Sequence, residues 1–243
     1  MRVTLAALII NLIGCVYGFN DVDYESVGTF SVFSIDNEYM TPLDYADSSW
    51  IRGGLQGLQL TLNVYEDSDD SNVVNSLAAP NELIYISAHG SGGGIALQGG
   101  NLSPFGYTGY DDEYTHDRVL EVNARFVVLA ACSAGRADWE MVLEAGEVEG
   151  IFAYTKPTLD PIDRTVARRY VECIGRRANE ITGNVTDLTS MDHHLCWKET
   201  NENAGGAFNN WVSIIKDPIT GEIVRLGAVS YTHLRAHETS DDI

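Results

Sequence analysis

Two apolar stretches decide the fold, LIYISAHG at 83–90 and FVVLAAC at 126–132. Both are rich in residues that favour β-strands, and both have the length of a strand rather than of a helix. A strand that is apolar on both sides is typical of a parallel sheet that helices cover on both faces. The sequence therefore predicts two buried parallel strands, one ending at His89-Gly90 and the other at Cys132.

Predicted strands and helices alternate along the rest of the chain. This alternation predicts a single α/β domain in which a mostly parallel sheet lies between two helical layers. A Gly- and Tyr-rich insertion follows His89, with a small hairpin arm expected at 95–97, and a second hairpin is expected at 211–226. Further strands are expected at 29–35, 58–64 and 150–154, and helices at 42–57, from the acidic turn at 67–72 to Leu77, at 136–145 and at 162–178.

Cys132 and His89 carry the chemistry that this sheet predicts. Reactive groups gather at the carboxyl edge of a parallel sheet, which is where both residues fall. A thiol is a weak nucleophile until it loses its proton, and a neighbouring imidazole takes that proton and later gives it to the leaving amine. We therefore expect a catalytic dyad if the two strands are neighbours. Taken singly, a small buried cysteine and a turn histidine are the alternatives.

The two motifs together resemble those of the caspase-like (clan CD) cysteine peptidases, and they are nearest to the patterns of CHAT, gingipain and legumain-like domains. The resemblance covers 29–178 and includes Ser133-Ala134-Gly135 after the cysteine. It implies a caspase-like three-layer α/β sandwich and a dyad of His89 and Cys132. It also implies that the backbone N–H groups of Gly90 and Cys132 bind the oxyanion, and that no metal or organic cofactor is needed.

Two further residues are implied as substrate contacts by the same resemblance. Asp36 ends the first predicted strand, where related enzymes line the specificity pocket, and its charge would favour Arg or Lys at P1. An exposed turn aspartate is the alternative. Ala130 stands where caspases have Gln and where metacaspases and legumain have an acidic residue, so the charged floor of the pocket is missing.

The remaining cysteines suggest a disulfide. If the first 18 residues are removed as a signal peptide, Cys132, Cys173 and Cys196 remain. In an exported protein we expect Cys173 and Cys196 to pair and Cys132 to stay free. Asp192-His193-His194 with Cys196 also suggests zinc, but the spacing matches no familiar site, so we predict no metal.

Both ends of the chain are expected to lie outside the domain. Residues 1–18 have a basic start and a short apolar core, which predicts a signal peptide that is too short to span a membrane. A lipoprotein signal with a lipid anchor on Cys15, or a buried first strand, is the alternative. Residues 229–243 resemble a translated sequencing adapter rather than a genuine polar tail. The caspase-like peptidase domain is therefore expected at 19–228.

The formal net charge of −20 limits the classes of partner that the chain can bind. Such a chain repels phosphate backbones, so we expect no nucleic acid as a partner, and a peptide or protein as the substrate. No Gly-x-Ser-x-Gly elbow is present, which argues against a serine hydrolase. The sequence predicts a cysteine endopeptidase that is secreted, periplasmic or on the cell surface. A catalytically inactive caspase-like domain that binds or scaffolds partners there is the alternative.

Overall fold

A computed structural model describes residues 28–36, 46–55, 58, 60–111, 118–136, 138–158, 160–204 and 210–227. The predicted signal peptide at 1–18, Cys15 and the adapter-like stretch at 229–243 lie outside these residues, and so do both predicted domain boundaries.

A seven-stranded sheet forms the centre of the described part of the chain, in the order β11-β10-β9-β8-β3-β1-β2. Its first five strands along the chain run parallel, and the last two form an antiparallel hairpin at one edge. The strands are β1 (Gly28–Ser34), β2 (Leu60–Glu66), β3 (Asn81–Ser87), β8 (Ala124–Ala130), β9 (Gly150–Tyr154), β10 (Trp211–Lys216) and β11 (Ile223–Gly227).

Helices cover both faces of this sheet because its strands are apolar on both sides. In β8, Val127 and Leu129 point into one core, while Phe126 and Val128 point into the other. The predicted three-layer α/β sandwich with a mostly parallel sheet is confirmed. The first core is covered by α2 (Asp70–Ala78) and α3 (Glu140–Ala145), and the second by α1 (Ala46–Gly54), α4 (Asp160–Ile181) and α5 (Ser190–Asn203).

The insertion after His89 forms a second, four-stranded antiparallel sheet, which we call the arm. The sequence predicted only a small hairpin at its centre. The arm packs as part of the domain, because Ile95, Leu97 and Leu102 are fully buried in the core beneath α2 and α3. Its strands are β4 (His89–Ser91), β5 (Gly94–Ala96), β6 (Gly100–Ser103) and β7 (Gly106–Gly109).

The observed helices differ from the prediction in two places. The helix expected from Arg136 begins only at Glu140, because a 3-10 turn over Ala134–Arg136 comes first. Helix α5 was not predicted at all. Its start is marked by a capping box in which Thr189 and Asp192 exchange hydrogen bonds. The predicted start of the first helix, at Thr41-Pro42, lies outside the described residues.

Helix α5 escaped prediction because much of its buried face is polar. His193, His194 and Asn201 are all buried there, so no apolar period marks the helix. The Nδ1 atom of His193 lies 2.8 Å from the hydroxyl oxygen of Tyr170. Burial lowers the pKa of His193 to about 3 and, with the charge of Lys198, that of His194 to about 4. Both imidazoles are therefore neutral at pH 7.

A disulfide joins α4 to α5. The structure pairs Cys173 with Cys196, with 5.6 Å between their Cα atoms. Cys196 and His193 are thus committed to packing within the helical layer rather than to a metal site. Cys132 is the free cysteine among the residues described.

The amino edge of the sheet is held by Arg125, the second residue of β8. Its guanidinium group contacts the carboxylates of Glu82, at 2.7 Å, and Glu149, at 2.9 and 3.0 Å. It also donates to the carbonyl oxygens of Thr186 and Leu188. Burial raises the pKa of Glu82 from 4.5 to about 7, although the charge of Arg125 opposes this shift.

Within the described ranges, no helix has both the length and the apolar character that a membrane crossing requires.

Candidate active site

His89 and Cys132 lie at the same edge of the sheet on neighbouring strands. Strands β3 and β8 are parallel and adjacent, with Ser87 paired to Ala130. His89 and Cys132 each lie two residues beyond that pair, at the carboxyl edge. The chain segments after β3 and β8 leave the sheet side by side. The backbone therefore brings the two residues near each other, as a dyad requires.

Gly90 shows how closely the two chain segments approach. A Cβ atom at this position would lie 2.5 Å from the carbonyl oxygen of Cys132, 2.9 Å from the Cβ of Ala131 and 3.0 Å from the backbone nitrogen of Cys132. No larger residue fits there without moving one of the two strands. The backbone that carries His89 is thus in van der Waals contact with the backbone that carries Cys132.

The turn after Cys132 also depends on small residues. Ser133 has a φ of 59°, in the left-handed region that non-glycine residues seldom adopt. A Cβ atom at Gly135 would lie 2.5 Å from Val212 and 3.1 Å from the carbonyl oxygen of Tyr154. The turn after Cys132 is therefore tightly packed, and a strained residue directly follows Cys132 in the sequence, as is common at functional sites.

Thr158 contacts the thiol directly. Its backbone N–H donates to the sulfur of Cys132 at 3.4 Å, and its carbonyl and hydroxyl oxygens lie 3.8 and 3.9 Å from the same sulfur. Two residues earlier, the carbonyl oxygen of Lys156 accepts from the N–H of Ser133 at 3.3 Å. The segment 155–158 that follows β9 thus packs against the half-buried Cys132.

Sequence reasoning missed Thr158. It lies in a connection without a periodic pattern, and only the pairing of β8 with β9 brings it to the thiol. The available signal was its position just after a predicted strand, because the carboxyl ends of parallel strands meet at one edge.

Asp36 lies at this edge and Ala130 lies below it. Ser34 of β1 pairs with Ser87 of β3, and Asp36 and His89 each follow two residues beyond that last pair. Its side chain is half-buried. Ala130 is only 2% exposed, in the core beneath α1, α4 and α5. The structure thus brings Asp36 to the edge that carries His89, whereas the methyl group of Ala130 packs into the protein interior.

The part of the chain that the structure describes contains no cluster of three or more His, Cys, Asp or Glu side chains arranged to hold a metal ion.

Comparison with known proteins assigns no function to this chain. No protein-family model and no curated protein sequence matches this chain. Among solved structures, it is similar to gingipain R, described as an Arg-specific cysteine proteinase, at 15% sequence identity and a TM-score of 0.41. The match covers 74% of this chain but only 43% of gingipain R. The function is therefore inferred from the residues at the carboxyl edge and not from this similarity.

Proposed function

We propose that this chain is a cysteine endopeptidase of the caspase-like type with a dyad of Cys132 and His89. The observation that carries the proposal is the contact at Gly90, where the backbone after His89 lies against that of Cys132. His89 and Cys132, which are far apart in the sequence, are brought to one edge at a glycine that no other residue can replace without a displacement of the backbone. A buried core cysteine and an unrelated turn histidine would not need such an approach.

The reaction follows from the two groups. His89 removes the proton from the thiol of Cys132, and the sulfur attacks the carbonyl carbon of the scissile peptide bond. The backbone N–H groups of Gly90 and Cys132 stabilise the oxyanion that develops. The C–N bond then breaks as His89 gives the proton to the amine, which leaves a thioester. Water, deprotonated by His89, hydrolyses the thioester and restores the thiol.

The substrate in this proposal is a peptide or protein. Asp36, at the same edge, supplies negative charge for an Arg or Lys side chain at P1. The disulfide between Cys173 and Cys196 supports an exported protein, because such bonds persist in oxidising compartments. We therefore place the domain outside the cytoplasm, either secreted or held at a cell surface, with the lipid on Cys15 as the alternative means of attachment.

One observation favours the second candidate, a catalytically silent binding or scaffold module. The sulfur of Cys132 is in contact with the N–H, the carbonyl oxygen and the hydroxyl of Thr158. A substrate carbonyl has to reach the sulfur from a direction that these groups leave open. If the segment 155–158 stays where it is in solution, the thiol is a packed side chain rather than a nucleophile.

The test compares wild type, Cys132→Ala and His89→Ala in a peptide-library cleavage assay and in alkylation by iodoacetamide at pH 7. We expect cleavage by wild type and none by Cys132→Ala. For His89→Ala we expect a loss of about 100-fold or more in cleavage and of about 10-fold in alkylation, because an unassisted thiol is still a few per cent thiolate at pH 7. Peptide mapping by mass spectrometry assigns the alkylated cysteine. Equal alkylation of wild type and His89→Ala, with no peptide cleaved, would favour the scaffold. The same library tests Asp36, since Asp36→Asn should lose a preference for Arg or Lys.

A further inference from the structure

We propose that Asp70 is a positioning residue that fixes His89 relative to Cys132 by fastening the arm to helix α2. This inference rests on the proposed function, because it assigns Asp70 a role in the geometry of the same dyad. Asp70 acts through the arm and not by contact with the thiol.

The carboxylate of Asp70 receives three hydrogen bonds from the arm. The backbone N–H of Gln98 donates to Oδ1 at 2.9 Å, and the backbone N–H of Gly99 donates to Oδ2 at 2.9 Å. The hydroxyl of Tyr107 donates to Oδ2 at 2.7 Å. Hydrogen bonds to an ionised acceptor are stronger than those between neutral groups. Asp67 adds a fourth link, because its carboxylate accepts from the side chain of Gln98.

The fastened turn lies close to His89 along the arm. Gln98 and Gly99 connect β5 to β6, and Ala96 of β5 pairs with His89 of β4. Between them the N–H of Leu97 donates to the carbonyl oxygen of Gly100 at 2.8 Å. A displacement of this turn is therefore passed through one short strand pair to the backbone of His89.

Helix α2 in turn packs against the core that includes β3, the strand that precedes His89. Asp70 is the first residue of α2, and Val73 and Leu77 of the same helix are buried against the core that contains Ile84 and Ile86 of β3. Strand β3 leads directly to His89, and the arm leads from His89 to the turn at Gln98 and Gly99. Asp70 then connects this turn to α2, which packs against the same core as β3. His89 is thus held from both directions along the chain.

The arm should stay folded without Asp70, because other interactions hold it together. Leu97 and Leu102 are fully buried. The N–H of Tyr110 donates to the carbonyl oxygen of Gly99 at 3.0 Å, and its hydroxyl donates to that of Leu97 at 2.9 Å. Loss of the Asp70 carboxylate therefore releases the position of the turn rather than the fold of the arm, which makes the role testable.

The chain offers a matched control next to Asp70. Asp69 is the residue before α2, carries the same charge and makes no side-chain hydrogen bond to the helix start. Asp70→Asn and Asp69→Asn therefore change the charge of the acidic turn equally, whereas only the first removes a carboxylate that the arm contacts. Tyr107→Phe deletes one of the three hydrogen bonds and keeps the ring.

The experiment measures the rate of Cys132 alkylation by iodoacetamide between pH 5 and 9, with thermal unfolding as a check on folding. If His89 promotes the thiolate, wild type and His89→Ala give different pH profiles. We expect the Asp70→Asn profile to move toward that of His89→Ala, with a rate at pH 6 about 10-fold below wild type, since small misplacements of catalytic groups are costly. Asp69→Asn should match wild type, and Tyr107→Phe should shift less, in the same direction.

The outcomes separate the two proposals. A wild-type profile for Asp70→Asn, while His89→Ala differs, overturns the positioning role and leaves the dyad intact. Identical profiles for wild type and His89→Ala overturn the dyad, and the role of Asp70 falls with it. If Asp70→Asn does not fold, Tyr107→Phe decides: an unchanged profile overturns the role, and an intermediate profile supports it.

Discussion

The two edges of the central sheet are built on opposite principles. At the amino edge, the guanidinium group of Arg125 is satisfied by two carboxylates and two backbone carbonyl groups. At the carboxyl edge, small residues let backbones touch at Gly90, Ser133 takes a strained conformation, and the thiol of Cys132 has only weak partners. The same two strands, β3 and β8, contribute to both edges. One edge is held by a network of charged hydrogen bonds, and the other brings the half-buried side chains of His89 and Cys132 together with few polar contacts.

The largest effect is expected at the amino edge. Arg125→Met removes the partner of Glu82, whose side chain is only 6% exposed, and leaves that carboxylate buried without its cation. Breaking one side of a buried pair costs about 3 kcal/mol or more of the free energy of unfolding. Urea denaturation at pH 7.5 measures this loss. Alkylation of Cys132 at 25 °C should be unchanged as long as the variant is folded, because the edges are separate.

An exposed ion pair serves as the control for that variant. Arg168 and Glu172 pair at 2.7 Å on α4 with half of each side chain in water. Glu172→Gln should cost less than about 1 kcal/mol. A loss for Arg125→Met as small as that of Glu172→Gln would show that the amino edge does not have the stabilising role assigned to it.

The second effect is expected at the carboxyl edge. Gly90→Ala places a methyl group 2.5 Å from the carbonyl oxygen of Cys132, so β4 or the turn after β8 must move. We expect the cleavage rate to fall about 100-fold, and the free energy of unfolding to fall by about 1–3 kcal/mol. Gly53→Ala on α1 has no neighbour within 4 Å and should leave cleavage unchanged. Wild-type activity in Gly90→Ala would show that the close approach is irrelevant to the chemistry.

The third effect is a loss of stability in acid, which we assign to His193 in the helical layer near the amino edge. The imidazole of His193 stacks on Phe126, with ring centroids 3.8 Å apart, and burial lowers its pKa to about 3. Below pH 6.5 the unfolded chain binds a proton that the folded chain excludes, so stability falls with pH by about 1.4 kcal/mol per unit from this residue. His193→Gln should flatten the dependence of the unfolding free energy between pH 6.5 and 5.

Glu82 provides a control of opposite sign. Because burial raises its pKa to about 7, the folded chain holds a proton that the unfolded chain releases between pH 4.5 and 7. Its stabilising contribution is complete below pH 4.5 and is lost as the pH rises through 7. Because Glu82→Gln lacks this contribution, its free energy of unfolding should fall more steeply than that of wild type as the pH drops below 7. A flatter profile in Glu82→Gln would contradict the assigned direction of the shift.

Much of the sheet could be predicted from the sequence because its strands are apolar on both sides and end in recognisable residues. Strand β9 occupies Gly150–Tyr154, the predicted range. The edge that holds His89 and Cys132 followed from the same pattern. Helix α5 could not be found in this way, because His193, His194 and Asn201 face the interior and reverse the usual relation between polarity and exposure.

The contacts that were missed all join distant parts of the chain. Arg125 reaches Glu82 and Leu188, and Asp70 reaches Tyr107, through pairings that only the folded topology defines. Thr158 meets Cys132 because β9 lies beside β8. Sequence patterns report local periodicity and burial, whereas these pairs depend on which strands are neighbours and on how far a loop extends beyond them.

The disulfide between α4 and α5 affects how the protein should be handled. Its two cysteines are 23 residues apart, and closing a loop of that size stabilises a fold by about 3 kcal/mol in the chain-entropy model. Cys173 is 5% and Cys196 0% exposed, whereas Cys132 is half-buried. A mild reductant can therefore keep Cys132 reduced while the bridge survives. Stronger reduction or unfolding would open the bridge, so an assay buffer chosen to keep Cys132 reduced can also loosen the helical layer.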